Sequence, residues 1–179
     1  MWKTNDRFPK VQNFIDQYKN TMKNKLTHVD KSGLPRMVDV SDKPITLRTA
    51  RAQATINVGE EILNQIKSHE LVTKKGPVFQ TAIIAGVMGA KKTSALIPFC
   101  HSIGLDDCQV KIHVKNKKII IDTSAIVWAK TGVEMEALTA ASVAALTVYD
   151  MCKALSHDIT IEEIKLMEKT GGKEDFKRK

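Results

Sequence analysis

The sequence predicts an α+β sandwich, an antiparallel sheet with helices packed on one face. Three observations carry that reading. Cys108, Val110, Ile112 and Val114 alternate with Gln109, Lys111, His113 and Lys115 before the polar turn "KNKK", so a hairpin sits mid-chain. Two long apolar stretches flank that hairpin, one starting at Val78 and one at Thr131. A strand-forming run, about Thr46 to Val58, precedes the first stretch, and "ITIEEIKLME" follows the second. The element order is then βαββαβ, which predicts a ferredoxin-like sandwich.

The elements follow in order. Residues 1–25 read as an N-terminal extension, with Val11, Phe14, Ile15, Tyr18 and Met22 at helical spacing after Pro9: one short amphipathic helix. Residues 26–179 read as a single α+β domain. Pro35, Ser41, Asp42 and Pro44 break the chain before the first strand. "GEEILNQIKSHE" reads as a short helix with Ile62, Leu63 and Ile66 on one face, and "TKKGP" as a loop. "VFQTAIIAGVMGAKKTSAL" is a second helix. Its row of Ala82, Ala85/Gly86 and Gly89 predicts close approach to another backbone, because Gly costs a helix ~1 kcal/mol relative to Ala. "IPFCHSIG" is a loop into the hairpin, and residues 131–155 form the last, Ala-rich helix.

Composition narrows the function. With 179 residues, 42% apolar and 27% charged, the chain buries a real core, which excludes disordered and fibrous classes. Its net charge of +8 favours anionic ligands. Three cysteines without CxxC spacing suit reduced thiols rather than a disulfide framework. No apolar run reaches the ~20 residues of a membrane span, and "MWKTNDRFPKVQNF" has no signal-peptide core, so a cytoplasmic protein is expected.

Chemistry-bearing residues collect at turns and element ends, where sites usually form. Asp150 and Lys153 share a helix face near its C-terminus. The commoner meaning of such spacing is a surface ion pair worth under ~1 kcal/mol; the functional alternative is a proton-handling couple. Glu134 and Glu136 open the same helix, where acidic residues also suit the dipole. "KKGP" sets Lys74 and Lys75 before a helix start, a weak phosphate-cradle signal, and neither GxxxxGK[ST] nor GxGxxG is present. Cys100 and His101 lack a second cluster at zinc spacing, so no metal site is expected. "KTGGKEDFKRK" reads as a basic tail or an anion-binding loop around Gly171 and Gly172.

In combination these segments are far more specific. "MVDVSDK", "KKGPVFQTAIIAGVMGAKKTSALIPFCH", "KTGVEMEALTAASVAALTVYDMCKA" and "KTGGKEDF", in this order and spacing, resemble the MoaC family of cyclic pyranopterin monophosphate synthases, from about Leu26 to the C-terminus. The resemblance implies conversion of 3′,8-cyclo-7,8-dihydro-GTP, supplied by a radical-SAM GTP 3′,8-cyclase, into cyclic pyranopterin monophosphate with loss of pyrophosphate. This is a phosphorus–oxygen lyase of molybdenum cofactor (molybdopterin) biosynthesis. It implies Asp150, Lys75 and Lys153 as catalytic residues. It implies Phe99, Cys100, His101, Glu134, Met135, Glu136 and Arg48 as substrate contacts, with Lys91 and Lys173 as further anion contacts. No cofactor is implied beyond Mg²⁺ travelling with the triphosphate. The implied assembly is a hexamer, a trimer of dimers, with the active site shared between subunits.

Two segments depart from the family pattern. The loop usually reads Leu-Cys-His-Pro where this chain has "FCHS", and the tail is one residue shorter than Lys-Ser-Gly-Gly-Lys-Ser-Gly-Asp-Phe. The rival reading is a basic ferredoxin-like module that binds RNA or a nucleotide without catalysis. RNA-binding sheets expose stacking aromatics, and only 5% of this chain is aromatic, which counts against it.

Overall fold

Strand β1, Thr46–Asn57, runs through the middle of the sheet between β5, Lys118–Ala129, and β6, Thr160–Thr170. Strand β4, Asp107–Lys115, lies on the far side of β5, and the short β7, Phe176–Lys177, lies beyond β6. The strand order is β4-β5-β1-β6-β7, and every neighbouring pair is antiparallel. With helices α2, Val78–Lys91, and α4, Glu134–Cys152, between the strands, this is the predicted ferredoxin-like sandwich. This computed structural model describes residues 34–179, of which Asp39–Lys179 form one unit. The helix expected within residues 1–25 lies outside the described residues.

The core depends on small side chains. One face of β1 presents Ala50, Ala52, Ala54 and Ile56, all buried, opposite Ala125, Thr123, Ile121 and Ile119 of β5. Alanines on the sheet let α4 settle close, and α4 replies with Ala137, Ala140, Ala141, Ala144 and Ala145, all fully buried. Thr123, buried on β5, joins the layers by donating its hydroxyl to the Ala137 carbonyl at 2.8 Å. Helix α2 packs as its glycine row predicts. A Cβ on Gly86 would lie 3.1 Å from the Ala140 carbonyl oxygen, and one on Gly89 only 2.7 Å from a Val143 methyl.

Several boundaries differ from the sequence reading. The first helix, α1, spans only Gly59–Leu63. It stops early because Ser68 and His69, at φ 49° and 62°, close a tight turn between Lys67 and Glu70 that returns Leu71 to the core. "TKKGP" is no simple loop: β2, Val72–Thr73, and β3, Gly76–Pro77, form a minimal hairpin with Lys74 and Lys75 at its tip. The second helix breaks at Lys92, after which Thr93 donates its hydroxyl to the Ala90 carbonyl and a single turn, α3 at Thr93–Leu96, completes the stretch. Strand β7 went unforeseen, because a two-residue strand leaves no periodicity to detect.

Candidate functional site

The last turn of α4 carries Asp150, and the hairpin tip brings Lys75 to it. Lys75 Nζ donates to Asp150 Oδ2 at 2.8 Å and to the Asp150 backbone carbonyl at 2.9 Å. Lys153 Nζ takes the other carboxylate oxygen, Oδ1, at 2.8 Å. A lone aspartate near a helix C-terminus is disfavoured by the dipole, and two ammonium groups reverse that penalty. The Lys153 and then the Lys75 hydrogen bonds pull the Asp150 carboxyl down to about 2, and Asp150 in turn raises the Lys153 ammonium above its ordinary value. All three side chains are about half exposed, so a ligand can reach them. Two cations around one anion leave a net positive spot with an ionised carboxylate at its centre: it suits a phosphorylated substrate that must exchange protons.

A second cluster gathers at the opposite end of α4. Glu134 Oε1 pairs with Lys169 Nζ at 3.1 Å, joining the helix start to β6. Its side chain folds back over Gly132, where an added Cβ would sit 2.0 Å from Glu134 Oε2 and push that carboxylate aside. Glu136 is only 4% exposed; burial, and then the charge of Glu134, raise its carboxyl above the ordinary range. Burial and then the charge of Glu136 likewise push up the Cys100 thiol, which places the Phe99–Cys100–His101 loop beside Glu136. Phe99 is exposed, while His101 and Met135 are half-buried.

The tail loop completes this cluster. Thr46 donates its hydroxyl to the Gly171 carbonyl at 2.8 Å, and Asp175 Oδ1 accepts the Gly171 N–H at 3.0 Å. Gly171, at φ 79°, presses on β1 so closely that a Cβ would lie 1.8 Å from the Leu47 carbonyl oxygen. Next to it, Gly172 makes room for the Arg48 guanidinium, whose Nε reaches the Ala129 carbonyl at 3.4 Å. Arg48 is thereby held beside the Gly-Gly loop that also carries the exposed Lys173.

Of the residues singled out from the sequence, Asp150, Lys75 and Lys153 come together at one end of α4. Arg48, Cys100, Glu134 and Glu136 collect at the other. Lys91 stands apart on the last turn of α2, where its charge is felt by Cys108. From Glu136 to Asp150 the helix rises about 21 Å at 1.5 Å per residue, so the two clusters stand apart within one chain. Lys169, which the sequence places beside the Gly-Gly pair in a basic tail or an anion-binding loop, meets Glu134 here, whereas Asp175 escaped the sequence reading. A concavity of about 510 Å³ lined by Ile66, Ser68, His69, Phe79, Ile112, His113 and Val114 shares no residue with either cluster. Among the described residues, no group of three or more His, Cys, Asp or Glu side chains is arranged to hold a metal, and no helix is long and apolar enough to cross a membrane.

Comparison with known proteins gives a consistent result. The MoaC family matches residues 37–172. A cyclic pyranopterin monophosphate synthase of Xanthomonas axonopodis pv. citri is 47% identical over 158 residues, covering 88% of this chain and 96% of that protein. One from Xanthomonas campestris pv. campestris is 49% identical over 154 residues, covering 85% and 93%. Molybdenum cofactor biosynthesis protein 1 of Drosophila melanogaster is 51% identical over 155 residues, which is 86% of this chain but only 27% of that longer protein. The chain thus spans about a quarter of the length of that relative.

Proposed function

The chain belongs to the MoaC family, and on that premise we propose that it is a cyclic pyranopterin monophosphate synthase of molybdenum cofactor biosynthesis. Its substrate is 3′,8-cyclo-7,8-dihydro-GTP, supplied by a radical-SAM cyclase upstream. Its products are cyclic pyranopterin monophosphate and pyrophosphate, a phosphorus–oxygen lyase reaction in the cytoplasm. The observation that carries this reading is the Lys75–Asp150–Lys153 cluster, which joins proton-exchanging groups to cations in one exposed spot.

Rearranging the nucleotide and closing a cyclic phosphate requires protons to leave and return at several atoms. In the resting cluster both lysines are charged and Asp150 is a weak base, since two hydrogen-bonded ammonium groups hold its proton affinity down. An arriving triphosphate competes for those ammonium groups. Asp150 is then released from them and its basicity rises, as a carboxylate losing its cationic neighbours must. Lys75 and Lys153 supply protons and neutralise the pyrophosphate leaving group. Arg48, Lys169 and Lys173 surround the tail loop as contacts for the remaining anionic oxygens, and Glu136, His101 and Cys100 face the base and sugar. The residues themselves supply the acid–base groups; Mg²⁺ enters only with the triphosphate.

The two half-sites lie about 21 Å apart along one helix, too far to act on the same nucleotide within a chain. A shared site joins the Asp150 end of one α4 to the Glu136 end of another copy. The outer helix surface supports this assembly: Ile84 and Met88 on α2 and Leu146 on α4 are 61%, 52% and 59% exposed, an apolar stripe suited to self-association. A hexamer of three such dimers accommodates the arrangement.

The deciding assay incubates the purified protein with 3′,8-cyclo-7,8-dihydro-GTP and follows pyrophosphate together with the fluorescent pterin formed on oxidation. Both products appearing in step, and vanishing in Asp150→Ala, support the synthase. A folded protein that binds the nucleotide and releases neither product is a binding module instead.

A further inference from the structure

Helix α2 starts without a cap of its own. Its N-cap residue, Pro77, is in extended backbone and makes no side-chain hydrogen bond. A helix start leaves four backbone N–H groups without intrahelical partners, and here three are met by the segment just before the hairpin. Val78 N–H donates to the Leu71 carbonyl at 2.8 Å. Phe79 N–H donates to Glu70 Oε1 at 2.7 Å, and Gln80 N–H to Glu70 Oε2 at 3.1 Å. Glu70 Oε1 also accepts the Leu71 N–H at 2.8 Å, while the Glu70 backbone closes the turn to Lys67 with two bonds of 2.9 Å.

One carboxylate therefore grips both ends of a short excursion. Between Leu71 and Val78 lies only the β2–β3 hairpin, with Lys75 at its tip. That hairpin has two paired positions, Val72–Pro77 and Thr73–Gly76, and Val72 is 68% exposed, so little packing holds it. A ribbon this short has no stability of its own, and its direction is set at its base. Burial of Leu71, Val78 and Phe79 fixes how deep that base sits. The directional bonds that fix its orientation converge on Glu70, an anion at a helix N-terminus where the dipole favours it.

We propose that Glu70 is a positioning residue for Lys75: by clasping the base of the hairpin to the first turn of α2, it aims the Lys75 ammonium at Asp150. The consequence for turnover rests on the synthase reading above; the consequence for geometry does not.

The test compares Glu70→Ala and Glu70→Gln with the wild-type chain, reading the Asp150 carboxyl carbon by NMR titration and kcat/KM in parallel. In Glu70→Ala the Lys75 contact loosens while Lys153 stays, so the Asp150 midpoint moves up from about 2 toward 3.8, and kcat/KM falls about tenfold. Glu70→Gln keeps one acceptor for Leu71 and Phe79 but loses the one for Gln80; its shift has the same direction and is smaller. A folded Glu70→Ala whose Asp150 midpoint is unmoved overturns the proposal, even if its melting temperature drops, because Glu70 is then only a helix cap. Should Glu70→Ala fail to fold, Glu70→Gln decides on the same terms. A wild-type chain without turnover whose Asp150 still responds to Glu70 leaves the positioning role standing and removes the synthase reading alone.

Discussion

Lys75 Nζ and Asp150 Oδ2, 75 residues apart in the chain, lie 2.8 Å from each other where a two-residue hairpin tip meets the last turn of α4. The same ammonium reaches the backbone carbonyl of Asp150 at 2.9 Å, so it serves as side-chain partner and helix C-terminal cap together. Loss of either residue removes chemistry without removing core.

Replacing Asp150 by Ala or Lys75 by Ala is expected to abolish turnover. The melting temperature should barely change, because solvent-exposed ion pairs add little to stability. Steady-state rates and thermal melts check this together. Retention of more than about a tenth of the rate, ~1.4 kcal/mol or less in the barrier, would place that residue outside the catalytic core.

Asp150 titrates at about 2 against an ordinary 3.8, with Lys153 the larger cause. A folded-state value below the unfolded one stabilises the protein above about 3.8, and that contribution is lost as pH falls through about 2. Lys153→Met is accordingly expected to raise the Asp150 midpoint further than Lys75→Met does. Equal shifts, read by carboxyl-carbon NMR, would contradict the order of causes.

Glu136 shows the opposite linkage. Burial raises its carboxyl, so the folded state binds the proton more tightly than the unfolded chain, and the protein loses stability as pH rises through this group's titration. Glu136→Gln removes the buried charge. It should melt higher than the wild type at pH 7, by less at pH 4, and lose activity, which is the usual exchange of stability for function at a site. A variant that melts lower than wild type at both pH values would refute this.

Gly171→Ala confronts a Cβ with the Leu47 carbonyl oxygen at 1.8 Å, at a φ of 79° that side chains avoid. The tail loop must lift from β1, and with it the seat of Arg48. KM should rise at least several-fold. Gly104→Ala, where a Cβ meets nothing within 4 Å, is the control and should behave as wild type.

Inactive chains carrying Asp150→Ala and Glu136→Ala, mixed under conditions of subunit exchange, should regain activity. Random pairing gives half mixed dimers with one intact site of two, so about a quarter of the wild-type rate is expected from a site shared across a two-fold interface. Recovery of nothing, with exchange shown by mass spectrometry, would confine the site to one chain.

By itself the sequence determined the layered fold, because alternation of period two and helical apolar spacing are local signals that survive in any register. It also determined which residue types carry the chemistry, since "KTGVEMEALTAASVAALTVYDMCKA" and "KKGP" state them directly. Even the Gly86 and Gly89 row was legible, as a cost that only close packing offsets. What only the tertiary structure decided was who meets whom. Lys75 could have been a solvated loop lysine until the hairpin delivered it to Asp150, and Glu70 looked like the end of a helix until its carboxylate was found beneath the next one. Spacing had already set Glu136 and Asp150 at opposite ends of one helix, but not what each end would meet. Contacts between distant segments depend on where the chain turns, and those turns rest on single left-handed residues such as Ser68 and His69 and on pairings of two residues, which leave no periodic trace in the sequence.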